Sequence, residues 1–392
     1  MTPPTGESGD SRPVTRTRSP EDATAILCCP ATRQSLRRLE EPQRLALNAA
    51  IRAGARRYLD GEAVTDEVDS ALVTEDGAIA YGRRGGIWLL LANRGIRLSE
   101  RAEPVGLRRE KQGVQRFYDE VGWSPDAGGG YGDTARFVDQ RSVSREYFER
   151  CHRRLGRRLP RAGRFLLDAG SGAIPHSACL EYSRQFARRI CVDLSVEALR
   201  EAQGKLGDRG LYVLGDVTRL PIRDGTMDAA ICLHAIYHVP ADEQRTAFDE
   251  LHRVLAPGAP ALVVYTFGGR APLVRAARSL YRRLSVVRRR VAGGGQPAGS
   301  PPPAAAGGAP AGGPPDPELY GHFHPSAWFA EEAWAYPVEI VCWRSIGKET
   351  LEQWFHAGLG GRILLRVLFL VESAAPRLMG RIGQYPLVII RK

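Results

Sequence analysis

The stretch that decides the fold reads Phe165-Leu-Leu-Asp168-Ala-Gly170-Ser-Gly172-Ala-Ile-Pro175. An apolar run ends in an acid, and a loop with two glycines then opens a helical segment. Glycine is needed where the backbone must approach a ligand closely, because a side chain would block that approach. The stretch therefore predicts a strand, then a ligand-binding turn at Gly170, Ser171 and Gly172, and then the start of a helix.

Strands and helices alternate along the chain from residue 164 onward. Such alternation is typical of a parallel sheet covered by helices on both faces, so the predicted fold class is α/β. Two apolar runs near the C-terminus, 338–343 and 387–390, predict two more strands. The predicted core strands are 165–167, 190–192, 211–214, 229–233 and 262–265, and the predicted helices are 175–188, 195–206 and 241–255.

Acidic residues end the second and third of these strands. Asp193, followed by Leu194, comes about 20 residues after the glycine turn, where an acid can hold both hydroxyls of a ribose. Asp216, followed by Val217, is placed to accept a hydrogen bond from an amine edge such as that of adenine. The three strand ends together predict a nucleotide-like ligand.

Residues 164–267 resemble the core of class I S-adenosylmethionine-dependent methyltransferases, especially the group that acts on small molecules and quinone-like substrates. Asp168-x-Gly170-x-Gly172 is similar to the first motif of that family, Asp193 to its ribose acid and Asp216 to its adenine acid. The further similar stretches are Leu220-Pro221 with Asp228, where Met227 replaces the usual aromatic residue, and Glu250…Arg253-Val-Leu-x-Pro-Gly.

The resemblance implies a Rossmann-like fold with a mostly parallel seven-stranded sheet, S-adenosyl-L-methionine as cofactor, and methyl transfer to O, N or C of a small-molecule acceptor. Tyr118 resembles the helix that covers the methionine end of the cofactor in this family, and a packing aromatic is the alternative. The implied cofactor-binding residues are Asp168, Gly170, Ser171, Gly172, Asp193, Leu194, Asp216, Val217, Leu233 and Tyr118.

One departure from the family pattern is Ile174-Pro175, which stands where a third glycine is usual. The alternative fold assignment is an NAD-binding Rossmann domain, which would favour a third glycine and would not need Asp216. A regulator that binds the cofactor without catalysis is a further alternative, and the joint presence of the glycines and the acids argues against it.

Candidate catalytic residues follow the fourth strand, where ligands lie outside the carboxyl ends of a parallel sheet. Tyr237 or His238 is a candidate base, and packing against the cofactor is the alternative for both. His322, with His324, is a third candidate beyond the linker. The catalytic residue itself stays unassigned.

Residues 24–91 resemble the small activator subunit of tRNA methyltransferases, through Ile26-Leu-Cys-Cys29-Pro30, the helix at 42–55 and strands within 71–91. That family often holds zinc with Cys-Pro-x-Cys and two more cysteines, but here Thr32 replaces the second cysteine and no second pair follows. We therefore predict no metal, and interpret the segment as an α+β accessory module that stabilises the catalytic domain.

The predicted organisation has six parts. They are a disordered tail (1–21), the accessory module (22–100), a helical cap (101–163), the cofactor-binding core (164–269), a basic helix with a disordered linker (270–317, the Gly/Pro/Ala run being 293–315), and the C-terminal part of the methyltransferase domain (318–392).

The net charge of +11 leaves nucleic acid open as a partner. An RNA- or protein-directed methyltransferase is therefore the alternative function. The chain lacks the Asn/Asp-Pro-Pro-Tyr/Phe clamp and the Pro-Cys nucleophile of base methyltransferases, which disfavours a nucleic-acid substrate. Scattered cysteines, no apolar leader and no run of about 20 apolar residues predict a cytoplasmic protein without a transmembrane segment. The basic helix at 270–290 is expected to pack or act as a lid, with peripheral membrane contact as the alternative.

Overall fold

A single twelve-stranded sheet runs through the described parts of the chain. The computed structural model describes residues 24–124, 130–291 and 319–392. The tail predicted over 1–21 and the linker predicted over 293–315 lie outside the described residues.

The N-terminal segment is built from short antiparallel strands and one helix, in agreement with its predicted α+β character. Asp76 stabilises the turn between two of these strands, because its carboxylate accepts hydrogen bonds from the Thr74 hydroxyl (2.6 Å) and the Ala78 amide (3.0 Å). The sequence did not predict the first and last of the strands. The elements are β1 (Leu36–Arg38), α1 (Glu41–Arg52), β2 (Ser70–Thr74), β3 (Ile79–Arg84), β4 (Ile87–Leu89) and β5 (Ile96–Arg97).

The segment before the core is helical. It contains α2 (Arg109–Phe117), a π-helical turn (Tyr118–Gly122), α3 (Gly132–Phe137) and α4 (Ser142–Gly156). In α4 the buried residues Val143, Tyr147, Cys151 and Leu155 recur every fourth position, so one face of the helix packs on the sheet.

The core strands are parallel, as predicted. Ser195 caps α6, since its hydroxyl oxygen accepts a hydrogen bond from the Ala198 amide at 3.1 Å. The core elements are β6 (Gly163–Ala169), α5 (Ser177–Leu180), β7 (Phe186–Asp193), α6 (Val196–Leu206), β8 (Gly210–Leu214), β9 (Ala229–Leu233), α7 (Gln244–Val254) and β10 (Pro260–Val264).

The helix predicted over 175–188 is wrong. Only α5 and a 3-10 turn at Glu181–Ser183 form there, and the chain is already extended from Phe186. Arg189, which directly follows the predicted helix, lies in β7. Its side chain is buried beside Asp168, because the side chains of a strand alternate between its two faces.

The C-terminal elements complete the sheet, with β12 antiparallel between β10 and β11. The strand order β8-β7-β6-β9-β10-β12-β11 confirms the predicted seven-stranded core. The elements are α8 (Pro272–Val291), α9 (Trp328–Glu331), β11 (Val338–Arg344), α10 (Lys348–Trp354), α11 (Gly361–Ala374), α12 (Pro376–Ile382) and β12 (Tyr385–Arg391).

The sheet does not end at β8, because β4 pairs with it in parallel. Trp88 lies opposite Val213 in this pairing and is 1% exposed. The same side is held by an ion pair between Arg33 Nη2 and Glu250 Oε2 at 2.7 Å. The N-terminal segment therefore shares one sheet and one core with the predicted catalytic part, which the sequence did not indicate.

The basic helix α8 is buried in its first turns at Val274, and its Tyr281 ring meets that of Trp354 edge-on with centroids 5.8 Å apart. Further along, Leu280, Tyr281 and Leu284 are exposed, and Arg278 pairs with Glu349 of α10. Membrane contact through 270–290 stays a prediction. In the described part of the chain, no helix combines the length and apolar character that crossing a bilayer requires.

We expect Trp88→Ala to lower the free energy of unfolding of the whole chain by about 3–5 kcal/mol, because it opens a cavity where the two halves of the sheet join. Urea denaturation followed by circular dichroism and by fluorescence should give one shared transition. Leu45→Ala is the control: its side chain is 53% exposed, and we expect a change below about 0.5 kcal/mol. A separate transition for the N-terminal segment would contradict the shared core.

Candidate active site

The glycine turn after β6 lies at the carboxyl edge of the sheet. Gly170 and Gly172 have φ of +69° and +54°, which side chains rarely adopt. A Cβ added to Gly170 would lie 2.4 Å from the Ala235 Cβ, and one added to Gly172 would lie 2.5 Å from the Trp123 ring. Both glycines are therefore required by conformation and by space. Ile174 stands where the sequence pattern usually has a third glycine, and it also has a left-handed φ of +52°. Because a β-branched side chain disfavours that conformation, the backbone is strained there.

Asp168, at the end of β6, is held by a buried arginine. Arg189 Nε donates to Asp168 Oδ2 at 3.0 Å, Nη2 donates to the same oxygen, and Nη1 donates to the Cys179 carbonyl at 2.7 Å. Burial raises the pKa of Asp168, and the guanidinium opposes that rise. The predicted site residue Asp168 therefore anchors the start of the turn to β7 and to the Cys179 carbonyl through Arg189. The sequence did not single out Arg189, which lies between the predicted helix at 175–188 and the predicted strand at 190–192.

Asp193 binds the glycine turn directly. Its Oδ2 accepts a hydrogen bond from the Gly172 amide at 2.8 Å, and its Oδ1 accepts one from the Ser195 amide at 2.9 Å. Burial raises the pKa of Asp193 to about 6. The next residue, Leu194, accepts a hydrogen bond from Gln115 of α2 through its carbonyl at 2.8 Å.

Asp216, at the end of β8, is joined to α2 by a buried lysine. Lys111 Nζ lies 2.6 Å from Asp216 Oδ2, donates to the Thr218 hydroxyl at 2.7 Å, and pairs with Glu243. Asp216 Oδ1 accepts from the Thr218 amide at 2.9 Å. The signal in the sequence was one of only four lysines in an arginine-rich chain, since a compact ammonium group fits among three oxygens where a planar guanidinium would not.

Aromatic side chains from the segment before the core cover the glycine turn. The Tyr118 and Trp123 rings are stacked, with centroids 5.5 Å apart, and Tyr131 meets Trp123 edge-on at 5.7 Å. Tyr118 lies in the π-helical turn, a local geometry frequent at functional sites. The structure thus brings the predicted residue Tyr118 to the turn, together with Trp123, which the sequence did not single out.

His238 follows β9, whose last residue is Leu233, and lies against this aromatic cover. The Tyr320 carbonyl lies 2.7 Å from His238 Nδ1, and because a carbonyl can only accept, Nδ1 carries the proton. Nε2 is then an acceptor, and the Tyr118 hydroxyl donates to it at 3.3 Å. Burial lowers the pKa of His238 to about 4, so the ring is neutral at physiological pH.

The other two catalytic candidates lie beside His238. The Tyr237 ring is centred 4.6 Å from the His238 ring, and its carbonyl accepts a hydrogen bond from the His322 amide at 2.8 Å. The His322 ring packs on His324, with centroids 4.6 Å apart. His238 alone among the three presents a nitrogen acceptor toward Tyr118.

Within the described ranges, no group of three or more His, Cys, Asp or Glu side chains is arranged to hold a metal ion. Cys28 and Cys29 are buried with free thiols, and the Cys29 sulfur lies 3.2 Å from the Tyr81 hydroxyl.

Residues 167–263 match the family described as methyltransferase domain. Norajmaline N-methyltransferase of Rauvolfia serpentina is 32% identical over 105 residues, which cover 25% of this chain and 35% of that protein. Demethylmenaquinone methyltransferase of Clavibacter sepedonicus is 34% identical over 124 residues, which cover 31% of this chain and 49% of that protein. The chain thus spans less than half the length of the curated relatives it matches.

Among solved structures, N-methyltransferase NodS of Bradyrhizobium japonicum aligns with 43% of this chain and 78% of that chain, at 15% identity and a TM-score of 0.32.

We expect His238 to stay neutral, with the proton on Nδ1, from about pH 8 down to about pH 5.5, because burial disfavours the charged ring. Long-range ¹H–¹⁵N NMR of the imidazole nitrogens measures both the tautomer and the titration. Tyr118→Phe is the control, since it removes the hydroxyl donor and leaves the bond to Tyr320, so the tautomer should persist. A midpoint near the ordinary histidine pKa of about 6.5 would contradict the assigned environment.

Proposed function

We propose that the protein transfers a methyl group from S-adenosylmethionine to a small molecule, since residues 167–263 match the family described as methyltransferase domain. The observation that carries the proposal is the meeting of the glycine turn, Asp193 and Asp216 at one edge of the sheet. That edge is where open parallel sheets bind their ligands.

The residues at this edge fit the cofactor. The glycine turn brings its backbone close to Ala235 and Trp123, where a Cβ at Gly170 or Gly172 would collide. The Ser171 hydroxyl is buried there and has no hydrogen-bond partner in the described part of the chain. Asp193 would hold the ribose hydroxyls and Asp216 the adenine amine. Tyr118 and Trp123 would cover the methionine end. When bound, the cofactor supplies the electrophilic methyl group.

The remaining work of the chain is to exclude water and to receive a proton. Tyr118, Trp123 and Tyr131 shield the turn from solvent. Methylation of an O–H or N–H group releases a proton, and His238 Nε2 is a neutral acceptor in the right place to take it. The Tyr118 hydroxyl, which donates to that nitrogen in the structure, would be replaced there by the O–H or N–H group of the methyl acceptor. His238 is therefore the proposed general base, and Tyr237 its packing support.

A small-molecule acceptor has support from the relatives, one named for N-methylation of norajmaline and the other for methylation of demethylmenaquinone. The aromatic lining around His238 suits an apolar acceptor better than a nucleic-acid backbone. Buried free thiols in the described part of the chain support a reducing, cytoplasmic location.

We also propose that residues 24–97 act as a built-in activator-like module, whose effect is to stabilise the catalytic sheet. Arg33 supports this role, because its Nη1 donates to the Leu220 carbonyl at 2.8 Å while its Nη2 pairs with Glu250. Leu27 and Ile222 form a β-bridge beside them.

We expect the folded protein to bind S-adenosylmethionine and S-adenosylhomocysteine, and Asp193→Ala to weaken both by roughly 1–3 kcal/mol, the cost of unpaired polar groups. Isothermal calorimetry measures each affinity. Asp193→Asn keeps one acceptor oxygen for the Gly172 amide, so it separates loss of ribose contact from collapse of the turn.

The matched control is Asp208→Ala, an exposed acid after α6, which should bind both ligands as the wild type does. If neither ligand bound to the folded wild-type protein, the proposed function would be excluded.

A further inference from the structure

Arg344, the last residue of β11, is a buried arginine, 3% exposed, whose charge no acid in the described part of the chain balances. Its Nε has no hydrogen-bond partner among those residues. The half-buried Arg154 pairs with Glu372, and the buried Arg189 pairs with Asp168. Among residues 24–124, 130–291 and 319–392, no carboxylate forms an ion pair with Arg344. A buried charge without a partner is costly, so its retention indicates a ligand that neutralises it.

Aromatic rings surround the guanidinium on several sides. Its carbon lies 4.6 Å from the Tyr385 ring centre, 5.1 Å from that of Trp343 and 5.6 Å from that of Phe148. Such rings stabilise the cation, but they offer no acceptor for its N–H groups.

Three histidines around Arg344 add no negative charge. Burial, with Arg344 contributing, lowers the pKa of His176 to about 4 and that of His234 to about 3, and it lowers the pKa of His152 well below its ordinary value. His152 Nε2 and Trp343 Nε1 are also buried without hydrogen-bond partners. The cluster therefore carries one positive charge and has polar nitrogens that remain unpaired.

The cluster lies at the same sheet edge as the proposed catalytic site. His176 follows the glycine turn, His234 follows β9, and Tyr385 begins β12. Ring contacts connect it to the candidate base, since His234 lies 6.3 Å from Tyr237 and Tyr237 lies 4.6 Å from His238. His176, His234 and Tyr385 are half-buried, so the cluster reaches the surface.

We propose that Arg344 binds a carboxylate group of the methyl acceptor, which makes the acceptor an aromatic or otherwise flat organic acid. A single carboxylate matches the single uncompensated charge, and its two oxygens match the guanidinium fork. The surrounding rings accommodate a flat body, with the reacting atom directed toward His238. This inference rests on the proposed function.

The test uses benzoate as the probe and benzamide as its uncharged match, titrated by calorimetry into the full-length protein saturated with S-adenosylhomocysteine. We expect benzoate to bind at least tenfold more tightly than benzamide. Arg344→Gln should lose at least tenfold in benzoate affinity, Arg344→Lys should lose less, and both should keep the wild-type affinity for S-adenosylhomocysteine. Arg377→Gln, at an exposed arginine of α12, is the matched control and should not change benzoate binding.

Equal binding of benzoate and benzamide by the wild type would overturn the inference, and so would benzoate binding that Arg344→Gln leaves intact or no benzoate binding at all. The wild-type comparison decides the matter even where Arg344→Gln fails to fold. Loss of S-adenosylhomocysteine binding by the wild type would instead exclude the proposed function, so the two failures are distinguishable.

A second, independent observation concerns the outer face of α11. Five large apolar side chains on this helix are about half exposed or more, with Ile363 at 66% and Leu370 at 63%. Their spacing places them along one side of the helix. The five are Ile363, Leu364, Val367, Leu370 and Val371. A contiguous apolar face of this kind marks an interaction surface.

We infer that this face of α11 lies on an anionic membrane surface. Arg362 flanks the apolar side chains on the same helix and is exposed, whereas Arg366 pairs with Glu146 and Arg377 of α12 pairs with Glu339. A chain of net charge +11 repels a second copy of itself and is attracted to acidic lipid headgroups. An amphipathic helix with apolar and basic residues arranged in this way lies in the interface and does not cross it.

The test is pelleting with vesicles of phosphatidylcholine, with and without phosphatidylglycerol, at physiological salt. We expect binding to the vesicles that contain phosphatidylglycerol, and at least a fivefold loss in Ile363→Ser/Leu370→Ser. Leu45→Ser changes a leucine elsewhere that is 53% exposed, and it should bind as the wild type does. The inference is overturned by the absence of binding, by binding that the double variant retains, or by a lipid-free wild-type dimer that the double variant dissociates in light scattering.

Discussion

Both carboxylate oxygens of Asp193 are bound by backbone amides, one from Gly172 and one from Ser195. This single side chain therefore joins the turn after β6 to the start of α6 and sets the distance between them. The turn needs such an anchor, because its glycines stand in left-handed conformations that would otherwise be free to change. Trp123 then packs against Gly172, and Tyr118 stacks on Trp123, so the cover of the site is positioned by the same contact.

Buried charge is distributed unevenly through the fold. Beneath the turn and beside it, every buried cation discussed above has an acidic partner: Arg189 pairs with Asp168 and Lys111 with Asp216 and Glu243. These pairs fix strand ends relative to helices, because separating them would leave a charge alone in a medium of low polarity. Around His238 and Arg344 the environment differs. The histidines there are neutral, the neighbours are aromatic, and the one charge is uncompensated. The paired charges that stabilise the fold and the unpaired charge of Arg344 therefore lie in separate regions at the carboxyl edge of the sheet.

The N-terminal strands extend the sheet on the side of the site that carries Asp216. Without β4, strand β8 would form an exposed edge, which proteins usually shield from pairing with other chains. With β4 in place, the edge next to Asp216 is continued by an antiparallel meander, and α2 crosses from that meander to deliver Lys111. The accessory segment and the proposed cofactor site are therefore coupled through contiguous hydrogen bonds.

The sequence alone determined the features that depend on near neighbours: the strand-and-turn pattern around Gly170, the acids at successive strand ends and the parallel core. Such features follow from periodicity and local backbone preference, which a few adjacent residues report. Only the tertiary structure decided the rest. The last residues of the helix expected over 175–188 belong to β7, in which Arg189 pairs with Asp168 of the neighbouring strand β6. Likewise the pairing of β4 with β8 and the isolation of Arg344 depend on partners, or on their absence, at positions far apart in the chain. Local patterns carry no record of which distant side chains will meet, because burial and charge pairing are settled only when the whole core packs.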